Sequence, residues 1–192
     1  MGGRVGDAVA IVDWLIEHRV PATIFMTGAI AENVNTDAGR QVLARIEANP
    51  VLLTLANHSY SHPDFRTLTA AQMRDELRRT EVALAAHCTQ DPRPLFRPPY
   101  GGVNADVLAG VGAAGYALTV MWDIDTIDWR LEKDGGPTAD DIVAKVLANA
   151  RGGSIVLMHL GGYNTFAALP RIVAGLEEAG LRPITLDEML GT

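Results

Sequence analysis

Five histidines occur in the 192 residues, and two of them, His58 and His62, stand four positions apart in the stretch Thr54-Leu55-Ala56-Asn57-His58-Ser59-Tyr60-Ser61-His62-Pro63. An apolar run over residues 51–55 leads into them and reads as a buried strand. Pro63 biases His62 away from helical angles, which puts the pair in a loop rather than on a helix face. Loops at the ends of buried strands are where α/β proteins carry their chemistry. Two imidazoles close together with a free side suit an open metal site; two surface histidines in a polar turn are the plain alternative.

Other groups with chemical potential fall in comparable places. Arg97-Pro98-Pro99-Tyr100-Gly101 follows the short apolar pair Leu95-Phe96, and Asp123, Asp125, Asp128 and Trp129 follow a strand that ends at Trp122. His159 follows the apolar run 154–158. Singly, each has a structural explanation: a surface cation for Arg97, turn residues for Asp125 and Asp128, a core ring for Trp129, a satisfied core histidine for His159. Four such groups at four successive strand ends point instead to a site. In a parallel barrel those ends share one rim, so groups distant in sequence are expected to converge there.

The elements that must position them alternate. Apolar spacing predicts a helix over 6–18, a strand over 22–26, a helix over 38–48 capped by Thr36 or Asp37, and the strand at 51–55. Thr69 caps a helix from 70 to about 86, and Asn104 caps another to about 112. A strand over 117–122, a helix from 138 to about 150, the 154–158 strand, a helix over 166–178, a strand over 182–185 and a helical turn over 186–190 complete the chain. This order implies an α/β fold with a parallel sheet. About six strands are legible, where a closed barrel takes about seven or eight, and the pattern opens on a helix with no strand before it.

Composition narrows the class. With 48% hydrophobic residues the chain can bury one good core. A net charge of −7 with scattered Lys and Arg argues against nucleic acid as a partner. No apolar run approaches the ~20 residues of a membrane span. The single cysteine, Cys88, cannot form an internal disulfide.

Taken in order, the motifs resemble those of the polysaccharide deacetylases of carbohydrate esterase family 4. The family's H-[ST]-x-x-H-P is His58-Ser59-Tyr60-Ser61-His62-Pro63, its R-x-P-Y is Arg97-Pro98-Pro99-Tyr100, its D-x-x-D-W is Asp125-Thr126-Ile127-Asp128-Trp129, and its apolar strand ending in histidine is Ile155-Val156-Leu157-Met158-His159. The family's first motif, T-F-D-D-G or close to it, is absent, and Asp7 lies inside the opening helix pattern, so neither role of that motif falls to it.

The resemblance implies an irregular (β/α) barrel with its first strand missing, forming a single catalytic domain over residues 1–192 that is incomplete at its amino end. It implies hydrolytic removal of N-acetyl or O-acetyl groups from a polysaccharide such as peptidoglycan or chitin oligomers, dependent on a divalent metal, with zinc expected. His58 and His62 would be metal ligands and Ser59 would steady their loop. Arg97 would orient the base, the backbone N–H of Tyr100 would help hold the oxyanion, Asp128 and His159 would form the general-acid pair, and Trp129 would wall the substrate groove. Asp125 would order its own loop. The absent motif carries the base and a third ligand, so the chain alone is expected to be inactive. The family's usual setting is secreted or cell-envelope. A non-catalytic relative that binds glycans or a partner is the alternative; a sugar-phosphate enzyme fits less well, for want of a Gly-rich phosphate loop.

Overall fold

A computed structural model describes residues 5–32 and 37–191. In chain order the elements are α1 (Ala8–Glu17), β1 (Ala22–Met26), α2 (Gly28–Ala31), α3 (Ala38–Ala48), β2 (Leu53–Asn57), α4 (Ala70–Ala85), β3 (Leu95–Phe96), α5 (Ala105–Ala113), β4 (Leu118–Thr119), β5 (Ile124–Asp125), α6 (Ala139–Asn149), β6 (Val156–Leu157), α7 (Thr165–Glu178) and α8 (Leu186–Leu190). The α/β alternation is as expected. The chain divides into two compact units, Thr23–Met121 and the described residues of Gly3–Ala22 with Trp122–Thr192. No helix among the described residues is long and apolar enough to cross a membrane.

The first unit is built on a four-stranded sheet in the order β1-β2-β3-β4. The β2–β3 and β3–β4 pairs are parallel, with Asn57 opposite Phe96, Leu95 opposite Leu118 and Phe96 opposite Thr119. Its core joins Phe65, Phe96 and Tyr116 to Met73 and Leu77 of α4 and Val107 and Val111 of α5. The i, i+4 spacing of both helix pairs puts each on one helix face. α4 starts where a capping box fixes it: Thr69 accepts the Gln72 N–H while the Gln72 side chain accepts the Thr69 N–H.

In the second unit, β5 and β6 pair in parallel, with Ile124 opposite Val156 and Asp125 opposite Leu157. Ile124 packs with Ile142, Val143 and Val146 of α6 and with Ala168 and Ile172 of α7. Thr138 caps α6 through a second box with Asp141.

Several expectations are corrected. The strand expected at 51–55 begins at Leu53; Val51 is 93% exposed in the turn before it. Asn49-Pro50 ends the preceding helix, and the chain spends two more residues reversing direction before it can enter the sheet. The strand expected over 117–122 is cut to Leu118–Thr119, and β5 forms just beyond it in the other unit, paired with β6 rather than β3. Residues 182–185 form no strand, and Gly28–Ala31 form a helical turn. Asp37 stands at the head of α3 but makes no capping hydrogen bond, its carboxylate taken instead by Arg40; Thr36 lies outside the described residues. The buried face of α1 is Ala8, Ile11, Val12 and Leu15.

The contrast between Phe96 and Val51 gives a direct check. Phe96→Ala empties the centre of the first core and should cost about 3–5 kcal/mol in chemical denaturation. Val51→Ser should stay within about 0.5 kcal/mol of the parent. A large loss for Val51→Ser would mean that residue 51 belongs to the buried strand.

Candidate active site

The histidine pair is set by sheet register. Asn57 is opposite Phe96, so the next residues on each strand, His58 and Arg97, leave the sheet side by side. His58 N–H donates to the Met26 carbonyl (3.1 Å) and Arg97 N–H to the Asn57 carbonyl (3.1 Å). The His58 imidazole then donates Nδ1–H to the Arg97 carbonyl at 2.7 Å, since a carbonyl can only accept. That fixes the tautomer and leaves the Nε2 lone pair for another partner. Loss of water around the ring pushes the His58 pKa well below the ordinary histidine value, and the nearby His62 and Arg97 act in the same direction, against the pull of the Arg97 carbonyl. The ring is therefore neutral, as a metal ligand must be.

His62 lies edge-on to His58, ring centroids 4.8 Å apart, and edge-on to Tyr100 at 4.7 Å. The loop between the histidines carries left-handed backbone at Ser59 (φ 66°) and at His62 itself (φ 62°). Pro63 thus leaves His62 non-helical, as expected, but in a left-handed rather than an extended conformation. Gly28 permits α2 to approach this loop: a Cβ there would come within 2.5 Å of the Tyr60 ring and 3.0 Å of the Thr80 backbone. The Gly28 and Ala29 N–H groups donate to the Ser59 and Tyr60 carbonyls.

Arg97 is 8% exposed. Its guanidinium donates to the Val120 (3.3 Å) and Met121 (3.4 Å) carbonyls and lies 4.1 Å over the Phe25 ring. Burial brings its pKa down to about 10, so it remains a cation at neutral pH. Tyr100 follows on a turn over Pro99–Gly101, also left-handed (φ 58°), with its side chain 71% exposed.

In the second unit the β5–β6 register does a similar job. Asp125 pairs with Leu157, and three and two residues further on come Asp128 and His159. Asp128 is fully buried, and its carboxylate accepts three hydrogen bonds: His159 Nδ1–H at 2.6 Å on Oδ1, and His159 N–H at 2.8 Å and Thr165 Oγ1–H at 2.6 Å on Oδ2. The Tyr163 N–H donates to the Asp128 carbonyl at 2.6 Å. Gly162 is needed where it stands, because a Cβ would overlap Thr165 Oγ1 and come within 2.5 Å of Asp128 Oδ2. Asp125 Oδ1 accepts the Ile127 N–H (2.9 Å), holding the turn that gives Ile127 its positive φ of 58°. Trp129, next to the buried Asp128, is 56% exposed rather than core.

Structure thus gathers His58, His62, Arg97 and Tyr100 in one unit and Asp128 with His159 in the other. Sequence reasoning missed Asn57, Glu76, Thr165 and Gly162. Asn57 had a signal, as a polar residue closing a buried strand. Glu76 had none, being one of many acidic residues on a helix. Thr165 looked like a residue before a helix, and its use as a donor to Asp128 is visible only in three dimensions.

The donor set suits a divalent cation in kind but not yet in number. Two imidazoles could supply two of the three protein ligands that a catalytic zinc takes, and among the described residues no group of three His, Cys, Asp or Glu side chains could hold a metal.

The family model for polysaccharide deacetylase matches residues 3–119. A chitooligosaccharide deacetylase of Rhizobium leguminosarum bv. trifolii is 37% identical over 180 residues, covering 94% of this chain and 74% of that protein. A peptidoglycan-N-acetylglucosamine deacetylase of Bacillus cereus is 32% identical over 186 residues, 95% of this chain, which spans 62% of that relative's length. Among solved structures, a CE4 family pseudoenzyme from Bacillus anthracis superposes with a TM-score of 0.79 at 28% identity, covering 98% of this chain and 62% of that one. The match of the family model takes in the His58-to-Pro63 and Arg97-to-Tyr100 motifs, the Rhizobium relative extends the likeness over 94% of the chain, and the chain belongs to the polysaccharide deacetylase family.

Proposed function

We propose that this protein takes part in metal-dependent hydrolysis of acetyl groups on an amino-sugar polymer of the peptidoglycan or chitin-oligomer class. The observation that carries the reading is the Asp128–His159 pair. A fully buried carboxylate that accepts three hydrogen bonds, two of them from one histidine, is costly to desolvate and has no use in mere glycan binding.

In this reading His58 and His62 hold the cation, zinc being the ion such donors favour. When bound, it supplies an acidified water and a Lewis acid for the acetyl carbonyl. Arg97, its guanidinium fixed by two carbonyls and the Phe25 ring, would orient a carboxylate base, which no described residue supplies beside the imidazoles. The Tyr100 N–H serves as an oxyanion donor. Asp128 holds His159 Nδ1–H, so His159 Nε2 is the atom that delivers a proton. A carboxylate base, the role formate fills in the test below, takes one proton of the water as its oxygen bonds to the acetyl carbon; the amide C–N bond then breaks, acetate leaves, and the sugar amine takes the His159 proton. Trp129 offers an exposed ring to a sugar face. The chitooligosaccharide and peptidoglycan activities named for the relatives support this substrate class.

A second reading, a non-catalytic glycan-binding relative, is favoured by one observation: no carboxylate joins the two imidazoles among the described residues. The structural likeness to a CE4 pseudoenzyme points the same way.

Acetate release from N-acetylglucosamine oligomers separates the two. With zinc alone the rate should sit at the limit of detection. Millimolar formate, standing in for the absent carboxylate base, should raise it, and His159→Ala should remove roughly 10²–10⁴-fold of the rescued rate. A rescued rate indifferent to His159→Ala would overturn the catalytic assignment; oligomer binding without release under any condition would establish the second reading.

Calorimetry of the 192-residue chain should show weak one-to-one zinc binding, abolished by His58→Ala. A tight site that survives His58→Ala would place the cation elsewhere.

Nitrogen-15 NMR of the His159 ring should find the neutral form protonated at Nδ1. Gly162→Ala, by crowding the Asp128 carboxylate, should disturb that signal as strongly as Asp128→Asn does. An Nε2–H tautomer in the parent would refute the pairing.

A further inference from the structure

Between the two histidines, every backbone N–H is bound by a side chain rather than by a strand or helix ladder. Ser59 N–H donates to Asn57 Oδ1 (2.8 Å), Tyr60 N–H and Ser61 N–H both donate to Glu76 Oε2 (2.9 and 2.8 Å), and His62 N–H donates to Ser59 Oγ (3.1 Å). Glu76 Oε1 accepts the Ser61 hydroxyl as well (2.7 Å). The loop begins and ends on residues with positive φ, a conformation that L-residues rarely adopt and that the surroundings must enforce. Two successive N–H groups converging on one oxygen form a concave anion site, and here the anion is a side chain of the protein itself. Glu76 is half-buried on α4, a helix anchored in the first core by Met73 and Leu77. The carboxylate therefore ties the loop to a helix that the first core holds in place.

We propose that Glu76 is a positioning residue: it holds the Tyr60–Ser61 turn so that the His58 and His62 imidazoles face one another at the separation a shared cation requires. The inference rests on the metal reading given under Proposed function. The hydrogen-bonded run from Glu81 through the buried Tyr116 and Asn57 supports the other end of the same loop. Tyr116 donates to Glu81 (2.9 Å), Asn57 Nδ2 donates to Tyr116 (2.6 Å) and to the Leu77 carbonyl (3.2 Å), and Asn57 Oδ1 takes the Ser59 N–H. Asn57 sits inside the sheet register, whereas Glu76 reaches the loop from outside it, so Glu76 can be altered without touching a strand.

The test uses Glu76→Ala and Glu76→Gln in the whole chain, read three ways: amide hydrogen exchange at Tyr60 and Ser61, the NOE between the His58 and His62 rings, and zinc affinity. Glu76→Ala should speed exchange at those two amides at least about tenfold with β2 amides unchanged, abolish the ring NOE and weaken zinc roughly 10- to 100-fold. Glu76→Gln keeps one acceptor oxygen and should fall between alanine and the parent on all three. Unchanged exchange in Glu76→Ala overturns the proposal, and so does faster exchange with the ring NOE and zinc affinity intact, which would make Glu76 merely structural. If the parent binds no zinc, or binds it indifferently to His58→Ala, the metal reading fails while the ring NOE still decides whether Glu76 positions the imidazoles.

Discussion

A histidine can offer one nitrogen in a defined direction only if its other nitrogen is held, and the parallel register of β2 against β3 does the holding. With Asn57 opposite Phe96, His58 and Arg97 emerge together, and the Arg97 carbonyl is where the His58 Nδ1–H must go. The ring orientation and tautomer follow from that one contact, and the neutral state from the loss of water around the ring, which outweighs the pull of that carbonyl. A slip of one residue in the register would exchange the inward and outward faces of the strand and carry His58 into the core. Arg97 depends on the same register from the other side, since β3 against β4 brings the Val120 carbonyl to its guanidinium.

The second unit uses the same economy with different atoms. The β5–β6 ladder is only two residues long, yet it sets Asp128 and His159 at hydrogen-bond distance. What makes so short a ladder sufficient is the packing of Ile124 against α6 and α7 and the satisfaction of every Asp128 oxygen by a fixed donor. A buried carboxylate with no unpaired oxygen is rigid, and a histidine held through both its backbone N–H and its ring Nδ1 shares that rigidity.

Backbone in the left-handed region recurs where these groups sit: Ser59, His62, Tyr100 and Ile127 all have positive φ. Such residues cost about 1–3 kcal/mol each and persist only where neighbours over-determine them. Around Ser59 and His62 those neighbours are Glu76, Asn57 and the head of α2; around Ile127 it is Asp125. The cores, with Phe65, Phe96 and Tyr116 in one unit and Ile124, Ile142 and Ile172 in the other, supply the stability that tolerates this local strain.

The sequence alone determined the longer helices, which announce themselves over ten or more residues: α3 by its apolar period, α4 and α6 by their Thr caps as well; the four-residue α2 has no such run to read. It also marked the candidate site residues, since the spacing His58-x-x-x-His62, the Arg97-Pro98-Pro99-Tyr100 run and the Asp125-to-Trp129 run are local patterns. Strand bounds were poorly legible, because a two-residue strand such as β4 or β5 has no period to read and exists only through its partner. Tertiary structure alone decided the partners. Glu76 lies 15 residues and Thr165 37 residues from the groups they bind, and nothing local marks either one. Hydrogen-bond satisfaction is a property of position in space, and the sequence states it only where donor and acceptor are close along the chain.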